Sequence, residues 1–170
     1  MLRVALLEME RLFQHLYTLA ALARLAGAHL VASHCMALRE KLVAEAAPVT
    51  GSRLLMDVCI PGGLSVRETA QMAQLCTQLY EIGQQAYPQL VLLWREYPGL
   101  SALLAGVGQV QADDLERIGL DGPVARAAGW DCDGRRIMPA YDGLWRYTSG
   151  RQGGTAADRA LLLLDEVGES

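Results

Sequence analysis

The amino-acid sequence predicts a mostly α protein, a helical bundle carrying a small irregular, glycine-rich layer with short extended segments. Apolar residues recur every three to four positions before residue 97 and again after residue 155, as on one face of a helix. Glycines and turn dipeptides concentrate between these regions. We therefore expect one domain of 170 residues, with a bundle over 1–97, an irregular layer over 98–154 and a final helix over 155–170.

Two helices are predicted before residue 50. The first covers residues 2–25, where Leu6 and Phe13 belong to a continuous apolar face. The second runs from about Ala28 to Ala46 and should end before Pro48, because a proline inside a helix removes a backbone donor and clashes with the preceding turn.

The stretch from Ala37 to Glu68 is predicted to join this bundle to a third helix through a tight, glycine-dependent elbow. Pro61-Gly62-Gly63 turns the chain, and Ser65 with Glu68 matches a capping pattern that satisfies free backbone donors at a helix start. Five charged side chains are expected to gather near the elbow: Arg39, Glu40, Lys41, Arg53 and Asp57.

The third helix starts at Ser65 and should be interrupted at Gly83 and Pro88. It resumes over Leu90–Trp94 and ends at Tyr97-Pro98-Gly99. Its few charges and many glutamines indicate that both of its sides are covered.

The irregular layer should open with an extended or short-strand segment over Leu103–Val110. A brief helix over Ala112–Ile118 closes at Gly119, and two short segments follow, at Val124–Trp130 and Tyr141–Tyr147. A last helix begins at Thr155, with Asp158 three residues on. Neither terminal helix carries a capping signal at its outer end. We therefore expect the chain to be the central part of a larger subunit.

Composition excludes some functions and favours partners. The net charge is −4 and no basic run is present, so a nucleic-acid surface is not expected. The apolar fraction is 52% and only 20% of residues are charged, which is little charge for a monomer's surface. The chain is either an Ala/Leu-rich helical domain or a piece that buries part of its surface against partners. We expect the isolated chain to self-associate.

No signal peptide or membrane span is expected. Glu8 and Glu10 interrupt any apolar core at the start, and Arg24 and His29 interrupt the most membrane-like window. A span needs about 20 consecutive apolar residues. The four cysteines lie far apart without a Cys-x-x-Cys pair, which favours reduced thiols in a cytoplasmic protein and disfavours a metal site.

No catalytic motif stands out. Ser33, His34 and Cys35 are consecutive, and neighbours on a helix point about 100° apart, so they cannot form a nucleophile–base pair. His15 is better explained as a histidine held at a packing interface than as a ligand. Gly106-Val107-Gly108 lacks the rest of a dinucleotide fingerprint.

The irregular layer has a run of alternating charges: Arg126, Asp131, Asp133, Arg135, Arg136, Asp142 and Arg146. One interpretation is a polar network that ties loops to the bundle, because irregular backbone has donors and acceptors that need partners. The other is a surface on which a cofactor-bearing partner sits. Residue types alone favour the network.

Several motifs occur in a recognisable order: Glu10-Arg11, His15-Leu16, Arg39-Glu40-Lys41, Gly51-x-Arg53, the run from Arg53 to Gly63, Gly122-Pro123-x-x-Arg126-Ala127-x-Gly129, Asp133-x-Arg135, Tyr141-Asp142, Arg159, Asp165-Glu166 and Ser170. Together they resemble the large subunit of membrane-bound nickel-iron hydrogenases of the formate hydrogenlyase type. They are similar, more distantly, to the homologous quinone-site subunit of respiratory NADH:quinone oxidoreductase. The resemblance covers nearly the whole chain.

The resemblance implies a helical bundle that faces an iron–sulfur small subunit and, through it, membrane subunits. The intact complexes use nickel-iron or quinone with iron–sulfur clusters on the partner, and the respiratory ones oxidise NADH. Hydrogenases hold nickel-iron through two Cys-x-x-Cys pairs, and neither pair occurs in this chain. The resemblance therefore implies no cofactor, catalytic residue or metal in the chain itself, which would be inactive alone. A location peripheral to the inner membrane is implied through the partners.

Eight positions are carried over as network or partner-facing residues: His15, Arg39, Glu40, Arg53, Arg126, Asp133, Arg135 and Asp142. Respiratory relatives usually have a histidine where this chain has Leu55, which favours the hydrogenase branch. The function implied is support of electron transfer next to an iron–sulfur subunit. The alternative is a non-catalytic scaffold or assembly protein derived from the same family.

Overall fold

Long helices dominate the fold, as the sequence predicts. The computed structural model describes residues 2–66, 69–144 and 151–170. The described elements, in chain order, are α1 (Leu2–Leu25), α2 (His29–Thr50), β1 (Cys59–Ile60), β2 (Gly63–Leu64), α3 (Thr69–Glu96), α4 (Leu100–Leu104), α5 (Ala112–Ile118), α6 (Gly122–Ala127), 3-10 turns at Gly134–Ile137 and Pro139–Tyr141, and α7 (Ala156–Glu169). The mostly α class is confirmed.

The helices α1 and α2 form an antiparallel hairpin that makes the centre of the core. Gly27 turns the chain between them at φ 76°, a conformation that suits glycine. Leu16 and Leu19 of α1 and Leu42 of α2 are completely buried. The α1 apolar face predicted from spacing is therefore the face that packs.

Helix α2 runs beyond its predicted end. It continues to Thr50 with Pro48 inside its last turn, so the prediction of an end before Pro48 is wrong. The final carbonyls find other donors: the Thr50 hydroxyl donates to Ala46 O at 2.9 Å, and Gly51, at φ 73°, donates its N–H to Ala47 O at 2.9 Å. These two bonds cap a helix end that a proline weakens.

The elbow contains the sheet of the described chain, a two-stranded antiparallel hairpin. Cys59 pairs with Leu64 and Ile60 with Gly63, whereas the extended segments were expected in the irregular layer. Glu68, and with it the predicted Ser65–Glu68 cap, lies outside the described residues.

Helix α3 is continuous from Thr69 to Glu96, so the interruption predicted at Gly83 and Pro88 is wrong. Met72, Leu75 and Trp94 are almost fully buried along it. This packing lies on both sides of the glycine and the proline and outweighs their local cost. The helix ends before Pro98, as predicted.

The irregular layer begins with helix, not strand. Leu100–Leu104 forms α4 where an extended segment was predicted from Leu103, while α5 matches the predicted Ala112–Ile118 and ends at Gly119 with φ 69°. The short segment predicted at Val124–Trp130 begins within α6. The segment predicted as Tyr141–Tyr147 lies partly outside the described residues.

Backbone hydrogen bonds attach this layer to the start of α7. The N–H of Gly154 donates to Ala127 O at 2.9 Å, and Val110 N–H donates to Gly154 O at 3.0 Å. A Cβ at Gly154 would overlap the Val110 carbonyl, and its φ is 63°, so glycine is required there. Thr155 and Asp158 form the predicted capping box of α7.

Candidate functional site

A buried carboxylate lies where α1, α6 and α7 meet. Glu166 of α7 is only 1% exposed. Its Oε1 accepts hydrogen bonds from Arg126 Nη2 at 2.7 Å and Arg126 Nε at 3.1 Å. Its Oε2 lies 2.6 Å from His15 Nε2 and 3.4 Å from Arg11 Nη1. One anion thus joins three basic side chains from two other helices.

The local structure of α1 and α6 places these basic side chains next to Glu166. Arg11 and His15 are four residues apart on α1 and therefore lie on the same face one turn from each other. Arg126 is in the last turn of α6, whose start is fixed by Pro123 and by Asp121 accepting from Gly122 N–H at 2.6 Å. Short, well-capped α6 holds Arg126 in position.

Asp133 and Arg135 extend the cluster into the irregular layer. The Asp133 carboxylate accepts from Arg135 Nη2 at 2.5 Å and from Arg135 N–H at 3.0 Å. It lies 3.8 Å from Arg126 Nη1, and Arg135 Nη2 lies 3.9 Å from Glu166. All four side chains are less than 10% exposed. The segment after α6 is therefore held to α7 by charge.

A second arm of the cluster reaches Tyr141. The Tyr141 hydroxyl donates to Glu8 Oε1 at 2.7 Å, and Glu8 Oε2 accepts from Arg11 Nε at 2.9 Å. Arg11 in turn lies against Glu166. The arm therefore runs from a 3-10 turn of the irregular layer, across α1, to α7.

The cluster sets the ionisation of its own members. Burial alone would raise the pKa of Glu166, but the His15 hydrogen bond and the charges of Arg126 and Arg11 together lower that pKa below its usual value. Burial likewise opposes ionisation of Asp133, and its bonds from Arg135 lower the pKa on balance. Burial and the Glu8 hydrogen bond raise the pKa of Tyr141. Both carboxylates are thus held ionised.

The partners of Glu166, among them Arg11, His15 and Arg126, line an open cleft of about 760 Å³, while Glu166 itself is buried and does not line it. Its walls come from α1, α6, the 3-10 segment and α7, and it also exposes apolar side chains, among them Leu7 and Met138. The lining of the cleft thus combines charged side chains that are bonded to one another with apolar side chains. We refer to this feature as the Glu166 cleft.

The structure brings together four of the eight predicted positions: His15, Arg126, Asp133 and Arg135. Glu40 and Arg53 form a separate, more than half exposed pair at the elbow, with Nη2 to Oε1 at 2.6 Å. Asp142 is exposed.

Arg39 turns away from the elbow, where it was expected, and towards α1. Its Nε donates to Phe13 O at 3.2 Å and its guanidinium lies 5.7 Å from the centre of the Tyr17 ring.

Sequence reasoning missed the anion at the centre of the cluster. Glu166 belongs to one of the ordered motifs but was not selected as a site residue, and the same is true of Arg11 and Tyr141. Glu8 was noted as a charge that interrupts the apolar start of the chain and was not selected either. The available signal was the motif order together with the i, i+4 spacing of Arg11 and His15. The prediction that His15 belongs to a packing interface agrees with its contact to Glu166.

The consecutive Ser33, His34 and Cys35 do not form a site. His34 is exposed, with Nδ1 3.2 Å from Leu30 O, while Cys35 is buried in the core and burial raises its pKa to about 12. Such a thiol is protonated and inert at neutral pH.

The donors of the described chain do not fit a nickel-iron centre. All four cysteines are free and lie apart, and within residues 2–66, 69–144 and 151–170 no three His, Cys, Asp or Glu side chains are grouped to hold a metal ion. None of the helices in the same ranges is long and apolar enough to cross a membrane.

Comparison with known proteins identifies the family. The model of the respiratory-chain NADH dehydrogenase 49 Kd subunit matches residues 26–170. An NADH-quinone oxidoreductase subunit of Salinispora arenicola is 34% identical over 169 residues, covering 98% of this chain and 44% of the relative. The subunit of the same name from Rhizobium meliloti is 30% identical, covering 99% of this chain and 42% of the relative.

The chain thus spans less than half the length of these relatives. The family match includes α2, α3, the irregular layer and α7, and so takes in Arg126, Asp133 and Glu166 of the cluster. The chain belongs to the family of the respiratory-chain NADH dehydrogenase 49 Kd subunit.

Proposed function

We propose that this chain is the central helical part of an oxidoreductase subunit, and that it supports electron transfer by presenting the Glu166 cleft to an iron–sulfur partner subunit. The chain supplies no metal ligands in this scheme. Membrane subunits join through the same partner, which would place the chain at the cytoplasmic side of the inner membrane. NAD and quinone would be bound by the whole complex.

The buried cluster around Glu166 carries this proposal. Charged side chains less than 10% exposed are costly to desolvate, and we infer that in this chain they fix the position of the segment after α6. Here they connect an irregular segment to a helical bundle, and an open, partly apolar cleft lies beside them. A rigid, partly apolar surface of this kind suits docking of another subunit.

The branch of the family is part of the proposal. The relatives from Salinispora arenicola and Rhizobium meliloti carry the name of NADH-quinone oxidoreductase and support that type. Leu55, in place of the usual histidine, supports the hydrogenase type. We propose the NADH:quinone type, and elemental analysis of the intact complex for nickel separates the two.

The docking experiment uses an affinity-tagged chain expressed in its host and isolated from detergent-solubilised membranes. We expect the iron–sulfur subunit to co-purify, identified by mass spectrometry and by its paramagnetic resonance signal. Leu7→Asp, in the apolar lining of the cleft, should abolish its recovery, whereas Leu92→Asp, on α3 and 61% exposed, should not.

Three outcomes decide the proposal. Equal recovery with both variants would contradict docking at the Glu166 cleft, and no recovery with the unmodified chain would contradict the partner itself. Recovery of the iron–sulfur subunit only from assembly intermediates without quinone reductase activity would favour the alternative, a scaffold or assembly protein.

A further inference from the structure

Three aspartate–glycine pairs occur in the chain, and the fold holds them differently. They are Asp121-Gly122, Asp133-Gly134 and Asp142-Gly143. Glycine has no side chain, so its backbone nitrogen can approach the carboxyl carbon of a preceding aspartate and close a five-membered imide ring. Whether a pair reacts in this way depends on how firmly the fold holds its carboxylate and its peptide plane.

The fold restrains the first two pairs. The Asp133 carboxylate, 5% exposed, is bonded to Arg135 Nη2 at 2.5 Å and to Arg135 N–H at 3.0 Å, and ring closure would break both bonds. Asp121 accepts from Gly122 N–H at 2.6 Å, which lowers the pKa of the Asp121 carboxyl group. An ionised carboxylate must take up a proton before it can lose water. Gly122 is also the first residue of α6, so turning its peptide plane would undo the start of that helix.

The third pair forms an exposed turn. Asp142, at φ −56° and ψ 122°, and Gly143, at φ 72°, are the central residues of a type II turn. A hydrogen bond from Leu144 N–H to Tyr141 O, at 3.0 Å, closes the turn. In the part of the chain that the structure describes, neither the Asp142 carboxylate nor the Gly143 N–H makes a hydrogen bond. Both residues are exposed to solvent.

The peptide plane between Asp142 and Gly143 is free to turn. Ring closure requires this plane to rotate until its nitrogen faces the carboxyl carbon. Rotation of the central peptide also interconverts type II and type I turns, and glycine in the second central position accepts both. Among the described residues, no atom lies within 4 Å of a Cβ built at Gly143, so the turn is not crowded. We propose that Asp142-Gly143 is a site of spontaneous isomerisation in the folded chain, at which Asp142 becomes isoaspartate, and that the other two pairs are spared.

The reaction needs no reactant other than water. The Gly143 nitrogen bonds to Cγ of the protonated Asp142 carboxyl group, whose hydroxyl leaves as water with the amide proton. A second water opens the imide at either carbonyl carbon. One opening restores aspartate, and the other gives isoaspartate, in which the main chain is one methylene longer and the carboxylate is attached directly to Cα. The longer link follows Tyr141, whose hydroxyl donates to Glu8 at 2.7 Å, so the change occurs beside that contact.

The test is incubation of the full chain at neutral pH and physiological temperature, followed by digestion with trypsin. Cleavage after arginine places the three pairs in separate peptides, which end at Arg126, Arg135 and Arg146. Chromatography separates each isoaspartyl peptide from its aspartyl form, and electron-transfer fragmentation identifies it. We expect isoaspartate to accumulate at least about tenfold faster in the peptide ending at Arg146 than in the other two, because those pairs react only when the fold opens locally.

Two controls separate the effect of the fold from that of the sequence. In guanidinium chloride, where the fold is lost, all three peptides should form isoaspartate at similar rates. Asp142→Glu, whose longer side chain would have to close a six-membered ring, should give no isomerised product in the peptide ending at Arg146. Isomerisation of the folded chain no faster at Asp142 than at Asp133 would overturn the proposal. The same preference for Asp142 in guanidinium chloride would also overturn it, because the selectivity would then not come from the fold.

Discussion

Replacing Glu166 by glutamine tests whether its charge holds the irregular layer in place. The change keeps the size and one acceptor oxygen of the side chain but removes the anion that faces Arg126, Arg11 and His15. Arg126 is 9% exposed, and its next carboxylate, Asp133, is 3.8 Å away. A buried cation would thus lose its closest counter-charge.

The expected loss is about 3–5 kcal/mol of unfolding free energy, the usual cost of removing one partner from a buried ion pair. This is a large part of the roughly 5–15 kcal/mol available to a domain. Urea unfolding followed by circular dichroism measures it, with the slope in urea checked for constancy.

The matched control is Glu40→Gln, which removes the anion of the exposed Arg53 pair. Exposed pairs contribute about 0–1 kcal/mol, so this variant should unfold almost as the unmodified chain does. A loss below about 1 kcal/mol for Glu166→Gln would refute the claim that the buried charge fastens the layer.

Four further predictions concern the stability and the association of the chain. Since the pKa of Glu166 is lowered on folding, its contribution to stability is present above its ordinary pKa of 4.5 and lost as pH falls through the lowered value, which urea unfolding against pH measures. Tyr141→Phe should cost about 0.5–1.5 kcal/mol and remove a loss of stability above pH 10, because the folded pKa of Tyr141 is raised. Thr155→Ala should cost about 1 kcal/mol by removing the α7 cap, measured in urea against Thr18→Ala as control. Light scattering of the isolated chain should show self-association at high concentration, and a strict monomer would contradict that expectation.

Local signals predicted the elements that depend on neighbours in sequence. The α1 face follows from apolar spacing, and the Thr155–Asp158 capping box and the Gly119 stop of α5 follow from single residue types. The errors came where packing decides. Pro88 lies within α3 because Leu90 and Trp94 beyond it are buried in the same core as the residues before it.

The elbow shows a different limit of sequence reasoning. Leu55 and Asp57 adopt positive φ values of 56° and 59°, which cost non-glycine residues roughly 1–2 kcal/mol each. The residue type of Leu55 does not predict this conformation, whereas aspartate adopts it more often than most residues. It is set by the chain's path from α2 into the β1–β2 hairpin.

Only part of the candidate site could be predicted from the sequence. The sequence shows a short run of charged residues that contains Arg126, Asp133 and Arg135. The carboxylate at the centre of the cluster, Glu166, is 40 residues after Arg126 and 151 residues after His15. Pairing over such separations is made by the tertiary fold. The exposed pair of Glu40 and Arg53, also predicted from the sequence, lies at the elbow and apart from this cluster.

Hydrogen exchange followed by mass spectrometry tests the central claim most directly, with the unmodified chain compared with Glu166→Gln under native conditions. If the buried carboxylate fastens the irregular layer, peptides covering residues 122–141 lose protection in the variant while peptides from α2 keep theirs. Unchanged protection over residues 122–141 would show that the layer is held by something else, and the account of the Glu166 cleft would be wrong.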